Sequence, residues 1–150
     1  MKPKDFTSAG MEKAPAYLIY RTARVLRMFF IKMMKNSGND LTQEQWLILN
    51  RIRNQEGISQ TELSDSVFND RPNITRIVDS LIKRNFVTRR KDANDGRKFN
   101  VFLTKEGEIF VEKITKVVEK ERERIYKGIS ENELEQLSNF LQKFEKNILE

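Results

Sequence analysis

The chain contains no cysteine and no histidine. Without cysteine there is no disulfide, no thiol switch and no thiolate metal site. Without histidine the commonest metal ligand and proton shuttle is missing, and nucleophile pairs of the Ser–His and Cys–His kind are excluded. The six glycines are widely separated, so no glycine-rich phosphate loop exists. The acids are scattered along what read as helix surfaces, with no pair suited to general acid and base work. No enzyme activity, metal or cofactor is therefore expected. Only three prolines interrupt 150 residues, which leaves long stretches free to be helical. No apolar run is long enough to span a membrane; the best, residues 28–34, is broken by Lys32. The chain starts with charges and lacks an apolar signal core, so a cytoplasmic location is expected.

The charge that is present is unevenly placed. Residues 1–70 carry 10 basic and 8 acidic side chains, and residues 105–150 carry 9 and 11. Residues 71–98 carry 9 basic against 3 acidic, a net +6 that equals the excess of the whole chain. A concentrated basic segment is the footprint of a polyanion binder, although a solvated surface would look alike by charge alone.

Apolar periodicity predicts five or six helices and one hairpin, within a single domain of 1–150. The first helix should run from Pro15 to Asn36, with Tyr17, Leu18, Val25, Leu26, Phe29, Phe30, Met33 and Met34 surrounding most of the cylinder. A helix apolar nearly all round is buried between elements or subunits. Three later helices open with capping boxes, Thr42 with Gln45, Ser59 with Glu62 and Ser130 with Glu133, each beside a possible hydrophobic staple. The helix from Ser59 is short and ends near residue 66 or 67. A tight link follows, then a helix from about Arg71 or Pro72 to Arg84 with the stripe Ile74, Ile77, Val78, Leu81. A strand is predicted over residues 86–90, a turn around Asp95-Gly96, and a second strand from Phe99 to Leu103. Thr104 should cap a long helix to about Lys127. The last helix places Leu134, Leu137, Leu141, Phe144 and Ile148 at a seam spacing that favours packing on another long helix.

The order of short helix, tight link, second helix and basic-tipped hairpin carries the functional argument. A helix-turn-helix presents the first turns of its second helix to the DNA major groove. Arginine can bond guanine bidentately and asparagine can do so with adenine; Arg71, Asn73 and Arg76 lie early in that helix. An ordinary amphipathic surface helix is the alternative reading of this element alone.

By helix order the chain from about Tyr17 to its C-terminus resembles the MarR-type regulators, with its specific core at residues 58–107. In that family the pattern reads as helix-turn-helix, a two-stranded wing with an Asp-x-Arg tip, and Leu-Thr-x-x-Gly opening the next helix; Asp95, Arg97, Leu103, Thr104 and Gly107 match. One departure is Asn85, where members usually have glycine. That position needs a left-handed backbone, and asparagine tolerates it next best. The resemblance implies a mainly α fold with a small two-stranded wing. It implies a winged helix-turn-helix lobe at about 42–103 and a helical dimerisation region at about 15–36 and 104–150. It further implies a sequence-specific, double-stranded DNA-binding transcriptional regulator, a repressor by default, that acts as a homodimer on a pseudo-palindromic operator. A small aromatic or lipophilic acid would release it from a pocket beside the DNA-binding lobe.

The residues expected at DNA are Ser59, Gln60 and Thr61 at the first helix of the motif. The second helix adds Arg71, Pro72, Asn73, Thr75, Arg76 and Lys83, and the wing adds Arg89, Asp95, Arg97 and Lys98. The resemblance assigns Arg97 to the minor groove, and Asp95, two residues away, is placed either to hold its guanidinium or to shape the turn. For the ligand pocket the candidates are Arg21, Arg24 and Trp46. Trp46 serves equally as a core residue stapled to Leu41, and the two arginines as solvated or salt-bridged surface. A helical adaptor that uses a winged helix for protein contacts is the competing function; the basic wing argues against it.

Overall fold

A computed structural model describes residues 10–66 and 71–150. Among them are six α-helices: α1 Pro15–Asn36, α2 Gln43–Asn54, α3 Gln60–Ser66, α4 Arg71–Lys83, α5 Lys105–Ile125 and α6 Glu131–Leu149. Three strands, β1 Ile58–Ser59, β2 Val87–Lys91 and β3 Phe99–Leu103, form one antiparallel sheet in the order β1-β3-β2. The predicted link between the two helices of the motif, residues 67–70, lies outside the described residues. Contacts divide the chain within α5 into two units, residues 1–112 and 113–150.

The capping boxes set three helix starts. Thr42 Oγ1 accepts the Gln45 N–H at 3.1 Å while Gln45 Oε1 accepts the Thr42 N–H. Ser130 and Glu133 repeat the device at α6. At α3 the Ser59 hydroxyl and N–H both donate to Glu62, and the Glu62 N–H returns to Ser59 Oγ. These bonds hold the Glu62 and Glu133 carboxyls below the usual carboxylate range, in each case through Ser59 or Ser130.

The expected two-stranded wing gains a third strand. Ile58 pairs with Val101 and Ser59 with Asn100, so the residue that caps α3 also ends a strand. Two residues are too few to show an alternating pattern, and this strand is invisible to periodicity. The first wing strand starts one residue later than predicted: the Phe86 N–H donates to Leu81 O at the end of α4, and its ring stacks on Phe110, centroids 4.2 Å apart.

The first unit has a core of Ile48, Leu49, Ile52, Ile58, Leu63, Ile74, Val78, Leu81, Val87, Val101 and Val111, all at most 2% exposed. Each such side chain contributes about 1.5–3 kcal/mol by leaving water, so the stripe on α4 anchors that helix firmly. Ile77, assigned to the same stripe, is only half-buried.

Where α4 ends, Asn85 adopts φ 58°, the only non-glycine residue with positive φ among those described. Its N–H donates to Ile82 O and the Phe86 N–H to Leu81 O, which closes the helix. Thr104 then locks the joint: its N–H donates to Phe86 O, its hydroxyl to Asn85 O, and its oxygen accepts the Gly107 N–H at 2.9 Å. Glycine is required at 107, since a Cβ would overlap the Phe86 carbonyl oxygen and stand 2.9 Å from its carbon. The Leu-Thr-x-x-Gly pattern is thus the chain's means of seating α5 on the start of the wing.

In the second unit no residue of α6 is buried. Leu134 and Leu141 are half-covered, and Leu137, Phe140, Phe144, Ile148 and Leu149 are exposed. Helix α1 likewise exposes Leu18, Ile19, Tyr20, Val25, Leu26, Met28 and Ile31. No described helix is long and apolar enough to cross a membrane.

Candidate nucleic-acid interface

The buried stripe of α4 leaves Arg71, Pro72, Arg76 and Lys83 exposed, with Asn73 and Thr75 partly covered. Among the described residues Arg76 has one long 3.5 Å bond, from Nε to Pro72 O, and its side chain is exposed. Thr75 is engaged: its hydroxyl donates to Arg71 O and accepts from Gln60 Nε2 at 3.0 Å. That bond ties α3 to α4, so Gln60 and Thr75 hold the two helices of the motif at their angle. Gln45 Nε2 donates to Ser80 Oγ and secures α2 to the same helix. Ser59 spends its hydroxyl on the α3 cap, while Thr61 stands exposed. Asn73, Arg76, Ile77 and Ser80, with Thr42, Glu44 and Gln45, line a shallow cavity of about 380 Å³ between α2 and α4.

The wing residues divide into presenters and organisers. Arg97 and Lys98 are exposed at its tip. Arg89 is not free: it donates to Asp79 Oδ1 on α4 at 2.7 Å, and its guanidinium stands 5.8 Å from the Phe99 ring centroid. Asp95 accepts the backbone N–H of Arg97 at 3.0 Å and lies 4.0 Å from Lys98 Nζ. The structure therefore places Asp95 on the turn and beside Lys98, not on the Arg97 guanidinium. The turn's main organiser is Asp92. Its Oδ1 accepts the N–H groups of Asn94 and Asp95, its Oδ2 accepts from Asn100 Nδ2, and its own N–H donates to Lys98 O. The Asn100 bond first, then the two backbone bonds, hold the Asp92 carboxyl below its ordinary range. Sequence reasoning passed over Asp92 and Asn100, although an Asp two residues before an Asn in a turn run is an Asx-turn signal.

The pocket candidates are dispersed. Arg21 and Arg24 are exposed on α1, and Arg24 donates to Tyr20 Oη at 2.9 Å across one turn. Trp46 is half-buried on α2. None of the three lines the cavity of about 380 Å³ that lies where α1 ends and α2 begins. Its walls include Arg27, Ile31, Met34, Lys35, Leu41 and Glu44, and Arg27 faces Glu44 at 3.5 Å. Helix α1, which borders this cavity, carries Arg21, Arg24, Arg27, Lys32 and Lys35 and no acid.

This geometry can be set beside known proteins. The MarR family model matches residues 41–99. The PcaV transcriptional regulator of Streptomyces coelicolor, solved with its natural ligand, superposes with a TM-score of 0.81 at 19% identity over 97% of this chain and 98% of that one. BpsR of Bordetella bronchiseptica, whose DNA binding is regulated by 6-hydroxynicotinic acid, gives 0.80 at 22% identity over 95% and 97%. The transcriptional regulator SlyA gives 0.75 at 26% identity over 87% and 90%. The match of residues 41–99 covers the capped α2, the helix-turn-helix and the wing tip, and over that segment the chain is similar to the MarR family.

Proposed function

We propose that the chain is a DNA-binding regulator of the MarR family and that it is a repressor. It reads a pseudo-palindromic operator as a homodimer and is released by a small organic ligand. The observation that carries the reading is the pairing of Arg71 and Arg76 on α4 with Arg97 and Lys98 on the wing, four exposed cations on one lobe with a rigid apolar anchor beneath them. An α4 in the major groove would let Arg71, Asn73 and Arg76 meet base edges, with Thr61 and Lys83 at phosphates and Arg97 in the minor groove. Ser59, Gln60, Thr75, Arg89 and Asp95 support those contacts through the bonds described above.

The dimer reading rests on apolar surface. Met28 is 68% exposed, Phe140 59% and Ile148 78%, on helices whose apolar residues exceed what one chain covers. Residues 15–36 and 104–150 are proposed to pair with a second copy, and 42–103 to form the reading lobe. Two-fold symmetry then spaces half-sites about one DNA turn apart, roughly 10 base pairs. Ligand release is supported by the relatives named for a natural ligand and for 6-hydroxynicotinic acid, and a small aromatic or lipophilic acid is the proposed effector class.

The test is a salt-dependent gel shift on genomic fragments, paired with sedimentation. A dimer whose affinity falls steeply with salt, through counterion release, is expected. A folded monomer at micromolar concentration, or salt-insensitive binding, rejects the reading.

A further inference from the structure

Arg84 occupies a place that no DNA contact explains. It directly precedes Asn85, at the joint between α4 and the wing. Its Nη2 donates to Asp40 Oδ1 at 2.9 Å. Its guanidinium carbon stands 5.0 Å from the Phe86 ring centroid and 5.8 Å from that of Phe110, the two stacked rings on which the wing starts. Asp40 in turn is a wall residue of the α1–α2 cavity, in the segment of Asn39 to Leu41 that borders it. One short chain of contacts therefore runs from the cavity wall, through a single ion pair, to the residue that turns the helix into the wing.

The pair does little for the fold. The Asp40 side chain is 88% exposed and that of Arg84 27%, and exposed pairs are worth at most about a factor of five in equilibrium. The helix end is closed by the Asn85 and Phe86 backbone bonds without it. A contact that costs little to break, but joins a cavity wall to a joint, is suited to be made and broken.

We infer that Arg84 is a positioning residue, and that the Asp40–Arg84 pair couples occupancy of the α1–α2 cavity to the set of the wing on α4. This rests on the regulator reading above. An occupant that displaces the cavity wall by about 1 Å takes a 2.9 Å pair beyond hydrogen-bond range. The guanidinium then keeps its ring contacts without the carboxylate, and the joint loosens. Coupling is reciprocal, so a wing held by DNA favours the closed wall.

The experiment reads backbone amide exchange at Asn85 and Phe86 in the full chain without DNA, with a gel shift of the wild type on genomic fragments alongside. D40N changes one exposed carboxylate and should leave the thermal melt in place. It should speed exchange at both amides about two- to five-fold, and D40E should restore it. I31W, which fills the cavity from α1, should speed the same amides in the wild-type background and add less than about twofold on D40N, by the logic of a double-mutant cycle. Unchanged exchange in D40N overturns the proposal, and so does I31W acting equally, or not at all, in both backgrounds. Because exchange needs no DNA, a wild type that fails the gel shift rejects the regulator reading separately.

Discussion

The Arg89 guanidinium on β2 donates to the Asp79 carboxylate on α4 at 2.7 Å, with their side chains 25% and 48% exposed. The bond fixes the wing against the helix it accompanies. Arg89, which sequence alone places among DNA contacts, has its charge committed within the lobe. We expect Arg89→Ala and Asp79→Asn each to cost about 0.5–1 kcal/mol of stability and the double variant little more than either. Urea titrations of the four proteins give the cycle; strict additivity would show that the two residues act separately.

Arg76 should matter for DNA and not for folding. It is exposed, off the buried stripe, and weakly tethered. Arg76→Ala should leave the melt nearly unchanged while weakening operator binding. If it reads a base, discrimination at one position falls by about 1–3 kcal/mol; if it holds phosphate, all sequences weaken alike. Unaltered operator affinity would remove it from the interface.

Asp95 and Arg97 should not behave as a side-chain pair. Asp95 accepts the Arg97 backbone N–H, so it acts on the turn. Asp95→Ala should weaken DNA binding by a similar factor in the wild-type and Arg97→Ala backgrounds. Affinities for one operator across that cycle decide it: loss of the Asp95 effect once Arg97 is gone would restore the guanidinium-holding account.

The wing should be acid-sensitive through Asp92. Its folded-state carboxyl lies below the ordinary value of about 3.9. A depressed acid contributes fully above its unfolded value and loses that contribution as pH falls through the folded one. Protection of the Asn94 and Asp95 amides, which donate to Asp92, should be flat from about pH 7 to 5 and decline below about pH 4. In Asp92→Asn the decline should vanish. An identical acid limb in both proteins would locate the titration elsewhere.

Local chemistry was readable in the sequence wherever one residue type answers one backbone need. The capping boxes, the left-handed Asn85, the α4 stripe apart from Ile77 and the glycine of Leu-Thr-x-x-Gly all have that character, and each stands where expected. What was not readable depends on distant partners. Strand β1 is a strand only because Val101 lies opposite Ile58. Arg89 looks like any wing cation until Asp79 is beside it. The α1–α2 cavity is made by residues whose spacing announces nothing.

The order of strands also has a kinetic side. The β2–β3 hairpin joins neighbours in sequence, from Lys91 and Phe99 outward, and hairpins of that kind close in about 1–10 μs. Strand β1 must find the far edge of β3 across the whole helix-turn-helix, pairing Ile58 with Val101. Loop entropy for that span is spent before the pairing returns anything. The hairpin should therefore be formed in the folding transition state and β1 should dock afterwards, sealing the lobe. Ile58→Val should then speed unfolding and leave the folding rate nearly alone, whereas Val101→Ala, in the strand shared by both pairings, should slow folding.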